Sequence, residues 1–181
     1  LLPSLVSAFL VTMAACGISP NTSARPLTQD EYLRSRELMV PVQDVARRQL
    51  RDTYSAPRTG GRAHLALDIM AKKGTRVLAV DDGYIMRIAD NELGGRTLYL
   101  TDPSRRFVYY YAHLDKRVYG LEEGQRVKRG QLLATVGTSG NAPKDSPHLH
   151  FQLTQMAPGK QWWTGAPINP LPYLRKTGNE R

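Results

Sequence analysis

The sequence predicts a mostly β fold, an antiparallel sheet of barrel-sandwich-like form preceded by a short helical lead-in. Two observations carry this. From about residue 54, short β-rich runs alternate with glycine turns: Val77-Leu78-Ala79-Val80, then residues 83–88, 97–100, 107–112, 131–136 and 148–153, with no helical run between them. In addition, Lys73-Gly74-Thr75-Arg76-Val77-Leu78-Ala79 is echoed by Glu123-Gly124-Gln125-Arg126-Val127-Lys128-Arg129-Gly130. Both copies have the Gly-x-x-Val form that turns a chain into a strand.

Taken in order, residues 5–15 are almost entirely apolar or small, too short a run to span a bilayer comfortably but the length of a signal-peptide core. The run Met13-Ala14-Ala15-Cys16 resembles the lipobox of bacterial lipoproteins, which makes Cys16, the single cysteine, the expected lipidation site. Met13 stands where such boxes usually carry Leu. The chain opens at Leu1 without a Met or a basic stretch, so it is expected to lack its first residues. A buried thiol in a hydrophobic N-terminal helix is the plainer alternative. By the same resemblance, Ile18 in the second mature position, with no Asp there, favours the outer membrane of a diderm cell.

The expected segments are then a partial signal peptide (1–15), a lipidated tether (16–27), a helical linker or collar (28–53), the main domain (54–175) and a frayed tail (176–181). In the collar, Thr28 is placed to cap a helix with Glu31 three residues on. Tyr32, Leu33, Leu38, Val42, Val45 and Leu50 give imperfect helical spacing, and Pro41 divides it into two short helices. Packing on the main domain is the expected role; a membrane-facing helix through Arg34, Arg36, Arg47 and Arg48 is opposed by Asp30, Glu31, Glu37 and Asp44. Trp162-Trp163 and Ile168-Asn169-Pro170-Leu171 are expected to close the core. Of Tyr109, Tyr110 and Tyr111, two are expected in the core and one at the surface, with groove lining as the lesser reading. Gly94-Gly95 reads as a turn.

Composition narrows the function. A hydrophobic fraction of 41% over 181 residues suits one domain with a real core. The net charge of +9, from 25 Lys and Arg against 16 Asp and Glu, suggests a polyanionic neighbour: nucleic acid, anionic lipid or cell-wall polymer. No zinc finger, RNP pattern or basic helix is present, so nucleic acid is the weakest of these. A lone cysteine excludes an intramolecular disulfide and cysteine-rich metal sites.

All four histidines, His64, His113, His148 and His150, fall in the β domain. Alternation over residues 64–69 puts His64 and Asp68 on one strand face and Leu65, Leu67 and Ile69 on the other. A straight strand would hold positions four apart at roughly 13 Å, too far for one ion whose bonds are about 2 Å, so shared ligation requires a bend. His148 and His150 emerge on one face about 6.6 Å apart along a strand, and only one need touch a metal. His, Asp and His around one ion would make a three-ligand site of the kind in which zinc keeps its fourth position for water. On the residues alone, a catalytic metal site, a structural one and unrelated histidines all stay open.

The ordered motifs go further. They are residues 62–69 with His64 and Asp68, Gly74-Thr75-Arg76-Val77, Gly83-Tyr84-Ile85, Tyr111-Ala112-His113-Leu114, residues 124–131, Val136-Gly137-Thr138-Ser139-Gly140-Asn141 and Pro147-His148-Leu149-His150-Phe151. From residue 60 to about 173 the chain resembles the LytM/lysostaphin-type metallopeptidase domain, the M23 class of cell-wall endopeptidases. The resemblance implies one zinc ion held by His64, Asp68 and His150, with His113 and His148 as catalytic histidines. It implies hydrolysis of peptide bridges or stems of peptidoglycan in the bacterial envelope; the separate lipobox resemblance at Cys16 adds the expectation of a lipid anchor in the membrane.

Ala66 stands where the family usually has Gly, Ser139 replaces Thr, Gln152 replaces Glu, and the 142–146 loop is slightly long. None removes a ligand. Two rivals are a non-catalytic envelope protein that binds peptidoglycan or regulates a partner hydrolase, and a carrier-like module suggested by the Gly-x-x-Val repeat.

Overall fold

The long strand β5 (Phe107–Arg117) organises the molecule, because its two halves have different neighbours along one edge. A computed structural model describes residues 25–57, 61, 63–156 and 164–175. The readings at Cys16, at Trp162-Trp163 and in the tail lie outside the described residues. The remaining strands are β1 (Leu67–Met70), β2 (Arg76–Leu78), β3 (Gly83–Asn91), β4 (Gly95–Thr101), β6 (Arg126–Val127), β7 (Leu132–Val136), β8 (His148–Gln155) and β9 (Ala166–Ile168). Among the described residues they form one antiparallel sheet with the path β1-β8-β5-β4-β3-β6, open at both ends. On one side β5 lies against β4; on the other, Phe107 to Ala112 pair with β8, and Leu114 and Arg117 pair with β7. The fold is therefore mostly β and antiparallel, as expected, and the sheet is open along this path.

His113 sits at the changeover. Its φ is +60°, and β4 and β5 fall out of register beside it, Arg96 facing Leu114 while Leu98 faces Tyr111. Such a bulge bends a strand and re-aims a side chain. Gly137 lies alongside: a Cβ there would come within 2.5 Å of the Asp115 nitrogen and 2.8 Å of the His113 carbonyl oxygen. Only a glycine lets β7 run on toward β8 past that backbone.

The two Gly-x-x-Val copies serve as scaffolding. Gly74 (φ +90°) and Gly124 (φ +85°) turn the chain into β2 and β6, whose Val77 and Val127 are completely buried. Gly94 and Gly95 form the β3–β4 hairpin turn.

The lead-in opens with a helix α1 (Gln29–Ser35) carrying a complete capping box: Thr28 Oγ1 accepts from the Glu31 nitrogen, and the Glu31 carboxylate accepts from the Thr28 nitrogen. The helix stops earlier than the apolar spacing suggested. Glu37 takes φ +50°, and the buried Leu38, Val40 and Val42 then lie two apart, a strand period, with Pro41 also buried between the last two. Residues 39–43 run along β2, with hydrogen bonds from Met39 N to Val80 O, Leu78 N to Pro41 O and Gln43 N to Arg76 O. Pro41, which has no N–H, uses its carbonyl there. The expected second helix shrinks to a 3-10 turn at Arg47–Gln49.

Polar ties fasten this collar to the sheet. Arg36 donates in bidentate fashion to the buried Asp81 carboxylate (2.8 Å twice), which also accepts from the Tyr109 hydroxyl (2.9 Å). Tyr32 stacks on Phe107 and donates to Asp102 at 2.6 Å. A short helix α2 (Leu171–Arg175) caps the opposite edge of the collar, burying Leu171, Tyr173 and Leu174 in the same core.

Candidate metal centre and adjoining clefts

Strand register brings the first two groups together. β1 and β8 pair so that Asp68 faces His150 directly, and the two side chains share a sheet face. His64 reaches them from outside β1. The bend required by the spacing occurs at Leu65, whose φ is +55°. Ala66, where the family usually has Gly, keeps an ordinary backbone and is fully buried. His64 Nε2 consequently stands 2.9 Å from Asp68 Oδ1, and not the roughly 13 Å of a straight strand.

These donors form a tight triangle. Asp68 Oδ1 lies 3.1 Å from His150 Nδ1, and His64 Nε2 lies 3.0 Å from the same nitrogen. Bonds of about 2.1 Å at tetrahedral angles would separate ligand atoms by about 3.4 Å, so the triangle needs to open only slightly to hold a zinc-sized ion. Proton bookkeeping agrees. His64 Nδ1 is within 2.8 Å of the Thr53 carbonyl oxygen, to which it donates, leaving a lone pair on Nε2. That lone pair faces a carboxylate oxygen, and a proton on His150 Nδ1 can satisfy only one of its two neighbours. A cation at the centre removes the conflict, so the residues present fit a metal with nitrogen and oxygen ligands. Burial by itself would raise the Asp68 carboxyl, but the adjacent His150 and His64 imidazoles outweigh it and hold Asp68 well below the usual carboxylate range.

His113 and His148 stand next to the triangle, their rings 5.0 Å apart, with His113 also 5.6 Å from the His150 ring. Each is fixed through Nδ1 by a backbone carbonyl, Ser139 O at 2.9 Å and Ser146 O at 2.8 Å. Each thereby keeps Nε2 for the site, and that of His148 lies 3.7 Å from Asp68 Oδ1. Burial pushes His113 down to about 4, only partly offset by the Ser139 carbonyl, so it is neutral at neutral pH. The structure thus gathers all five residues singled out in the sequence.

Other residues were not anticipated. Thr53, in the collar, supplies the carbonyl that orients His64, and its Oγ1 accepts from the Asp68 nitrogen at 2.9 Å. A single Thr ten residues from any motif gives no sequence signal. Thr53→Val keeps the shape and the carbonyl but removes the Oγ1 that accepts from the Asp68 nitrogen. It is expected to weaken zinc affinity about 10- to 100-fold, measured by competition with a chromophoric chelator, with Thr53→Ser retaining affinity.

Tyr110 is the second. Its ring meets the Tyr99 ring at 4.5 Å and presents an edge to His150 at 5.9 Å. With Asn91, Val108, Gln152 and Pro167 it lines a cleft of about 440 Å³ leading away from the site. The lesser, groove-lining reading therefore holds for this tyrosine, while Tyr109 and Tyr111 are buried. Gln152, one of the departures from the family pattern, faces Tyr110 across the β5–β8 pair and lines the same cleft. A second cleft, lined in part by Asp68, opens between β1 and the collar.

Comparison with known proteins bears on the whole arrangement. Peptidoglycan DD-endopeptidase ShyC of Vibrio cholerae is 34% identical over 98 residues, covering 54% of this chain and 22% of that protein. Murein hydrolase activator NlpD of Escherichia coli is 29% identical over 123 residues, 68% of this chain and 28% of its own length. The chain thus spans less than a third of the length of either relative. The catalytic domain of lysostaphin from Staphylococcus simulans superposes with a TM-score of 0.59 at 28% identity, over 70% of this chain and 92% of that domain. The family model described as peptidase family M23 matches residues 62–170, more than half of the chain and all five of the gathered residues, and the chain belongs to that family.

Proposed function

We propose that this chain is a zinc-dependent endopeptidase that hydrolyses peptide cross-bridges or stem peptides of peptidoglycan. The observation that carries the reading is the convergence of the His64, Asp68 and His150 donors beside two further histidines fixed by backbone carbonyls. The three donors would hold the ion. When bound, zinc would supply a Lewis acid and an acidified water.

The chain's own groups would do the rest. His113, neutral because it is buried, offers the Nε2 lone pair as a proton acceptor. His148, with Nδ1 held by Ser146 O, offers a second Nε2 that can carry a proton to a departing amine. The cleft along Tyr99, Tyr110 and Gln152 would seat an extended peptide, with Tyr110 setting its height above His150. The net charge of +9 suits residence against an anionic wall.

The test is incubation of the full chain with purified cross-linked muropeptides, followed by mass spectrometry, with zinc or with chelator. Zinc-dependent loss of cross-linked species is the expected result. No cleavage by the folded, zinc-loaded chain would contradict it.

Similarity to the activator NlpD supports a second reading, a non-catalytic protein that stimulates a separate wall hydrolase. In the same assay that reading gives no cleavage alone but faster digestion when a wall hydrolase is added. The intact set of five polar residues favours the peptidase.

The run ending at Cys16 supports a lipid anchor, with the enzyme held at the outer membrane and facing the periplasm. Cys16→Ser is expected to move the protein from the membrane fraction to the soluble periplasmic fraction. An unchanged distribution would remove the anchor from the account.

A further inference from the structure

We infer that the cleft between the collar and β1 is a subsite for a carboxylate of the substrate's stem peptide; the inference rests on the peptidoglycan reading above. The cleft, of about 720 Å³, reaches Asp68 at one end and is walled by Arg48 and Arg51 together with Val45, Thr53 and Met70.

The arginines around the collar divide into two kinds. Arg47 donates to the carbonyls of Leu38 and Leu174, and Arg175 donates to that of Leu50, so both tie segments together. Arg48 and Arg51 are exposed and make no ion pair or side-chain hydrogen bond among the described residues. The acidic group nearest in sequence, Asp52, is engaged by the Tyr54 nitrogen and the Asn169 amide. Two guanidinium groups without an anion therefore flank a cleft that opens beside the candidate metal ligand Asp68.

Guanidinium forks match planar carboxylates in bidentate fashion. The apolar part of the wall, with Val45, Ile69 and the 57% exposed Met70, would take the aliphatic stem that carries the carboxylate. Stem peptides bear such groups on their acidic and diamino-acid residues, within a few bonds of any peptide bond seated at the metal. The collar side of this wall precedes residue 62 and so lies outside the family-matched region.

The test uses the zinc-loaded full chain and two disaccharide–tetrapeptides, one with free stem carboxylates and one with them amidated, titrated by calorimetry. Wild type is expected to bind the free-carboxylate form at least about tenfold more tightly. The double variant Arg48→Gln/Arg51→Gln, with circular dichroism confirming its fold, is expected to lose that preference and bind the amidated form as wild type does. Equal affinity of wild type for the two forms, no binding of either, or an unchanged preference in the double variant would each overturn the subsite. So would loss of binding to phosphatidylglycerol vesicles in the double variant with muropeptide affinity intact, which would make the cleft a membrane contact. Hydrolysis is scored separately: carboxylate-dependent binding without cleavage removes the peptidase reading and leaves the subsite standing.

Discussion

Replacing His150 by Ala is expected to abolish both zinc retention and hydrolysis, the latter by at least roughly a thousandfold, the scale on which loss of one member of a catalytic unit is felt. His150 closes the triangle: its Nδ1 lies 3.1 Å from Asp68 Oδ1 and 3.0 Å from His64 Nε2. Without it two donors remain, too few for a closed three-ligand site. His113→Ala is expected to behave differently, because the His113 ring is anchored to Ser139 O and takes no part in the triangle. That variant should retain zinc at one ion per chain while losing most activity. Metal analysis on both variants, beside a muropeptide assay, checks the distinction. Equal zinc loss in the two would show that the division between holding and reacting groups is wrong.

Asp102→Ala is expected to cost about 3 kcal/mol of stability, lowering the melting temperature by about 6–12 °C in a chain of this size. Asp102 is fully buried and accepts from Tyr32 Oη (2.6 Å), the Arg106 and Phe107 nitrogens (2.8 Å each), the Ser104 nitrogen (2.9 Å) and the Ser104 hydroxyl. It thus joins α1 to the turn that enters β5, and removing it leaves the Phe107 N–H buried without a partner. Burial would raise its carboxyl, but these hydrogen bonds win and the net shift is downward. A depressed carboxyl stabilises the fold above the unfolded-state value of about 3.9 and loses that contribution as pH falls through the lower folded value. The wild-type advantage over Asp102→Ala should therefore be constant near neutral pH and shrink in strong acid. Thermal melts across that range measure it; an advantage that grows on acidification would contradict the assignment.

What could be read from the sequence followed from local rules. The Gly-x-x-Val repeats, the capping box at Thr28 and the alternation in β8 each depend on near neighbours, and each formed as expected. The bend between His64 and Asp68 is required by distance alone, but its position at Leu65 is not, because a left-handed residue without glycine leaves no mark in a sequence. The second lead-in helix failed for a related reason. Leu38, Val40 and Val42 satisfy a period of two better than one of 3.6, and β2 was available to pair with them. The carbonyls of Thr53, Ser139 and Ser146 that fix three imidazoles belong to the backbone, so residue identity could not announce them. Tyr110 differs from Tyr109 and Tyr111 only through its place on β5, which the β8 register decides.

Anomalous diffraction at the zinc edge, from crystals of the zinc-loaded chain, locates the ion and its ligands. One strong peak is expected, bonded at about 2.0–2.2 Å to His64 Nε2, an Asp68 carboxylate oxygen and His150 Nδ1, with His113 and His148 outside bonding distance. A peak ligated by His113 or His148, or none at the triangle in crystals soaked with zinc, would contradict it.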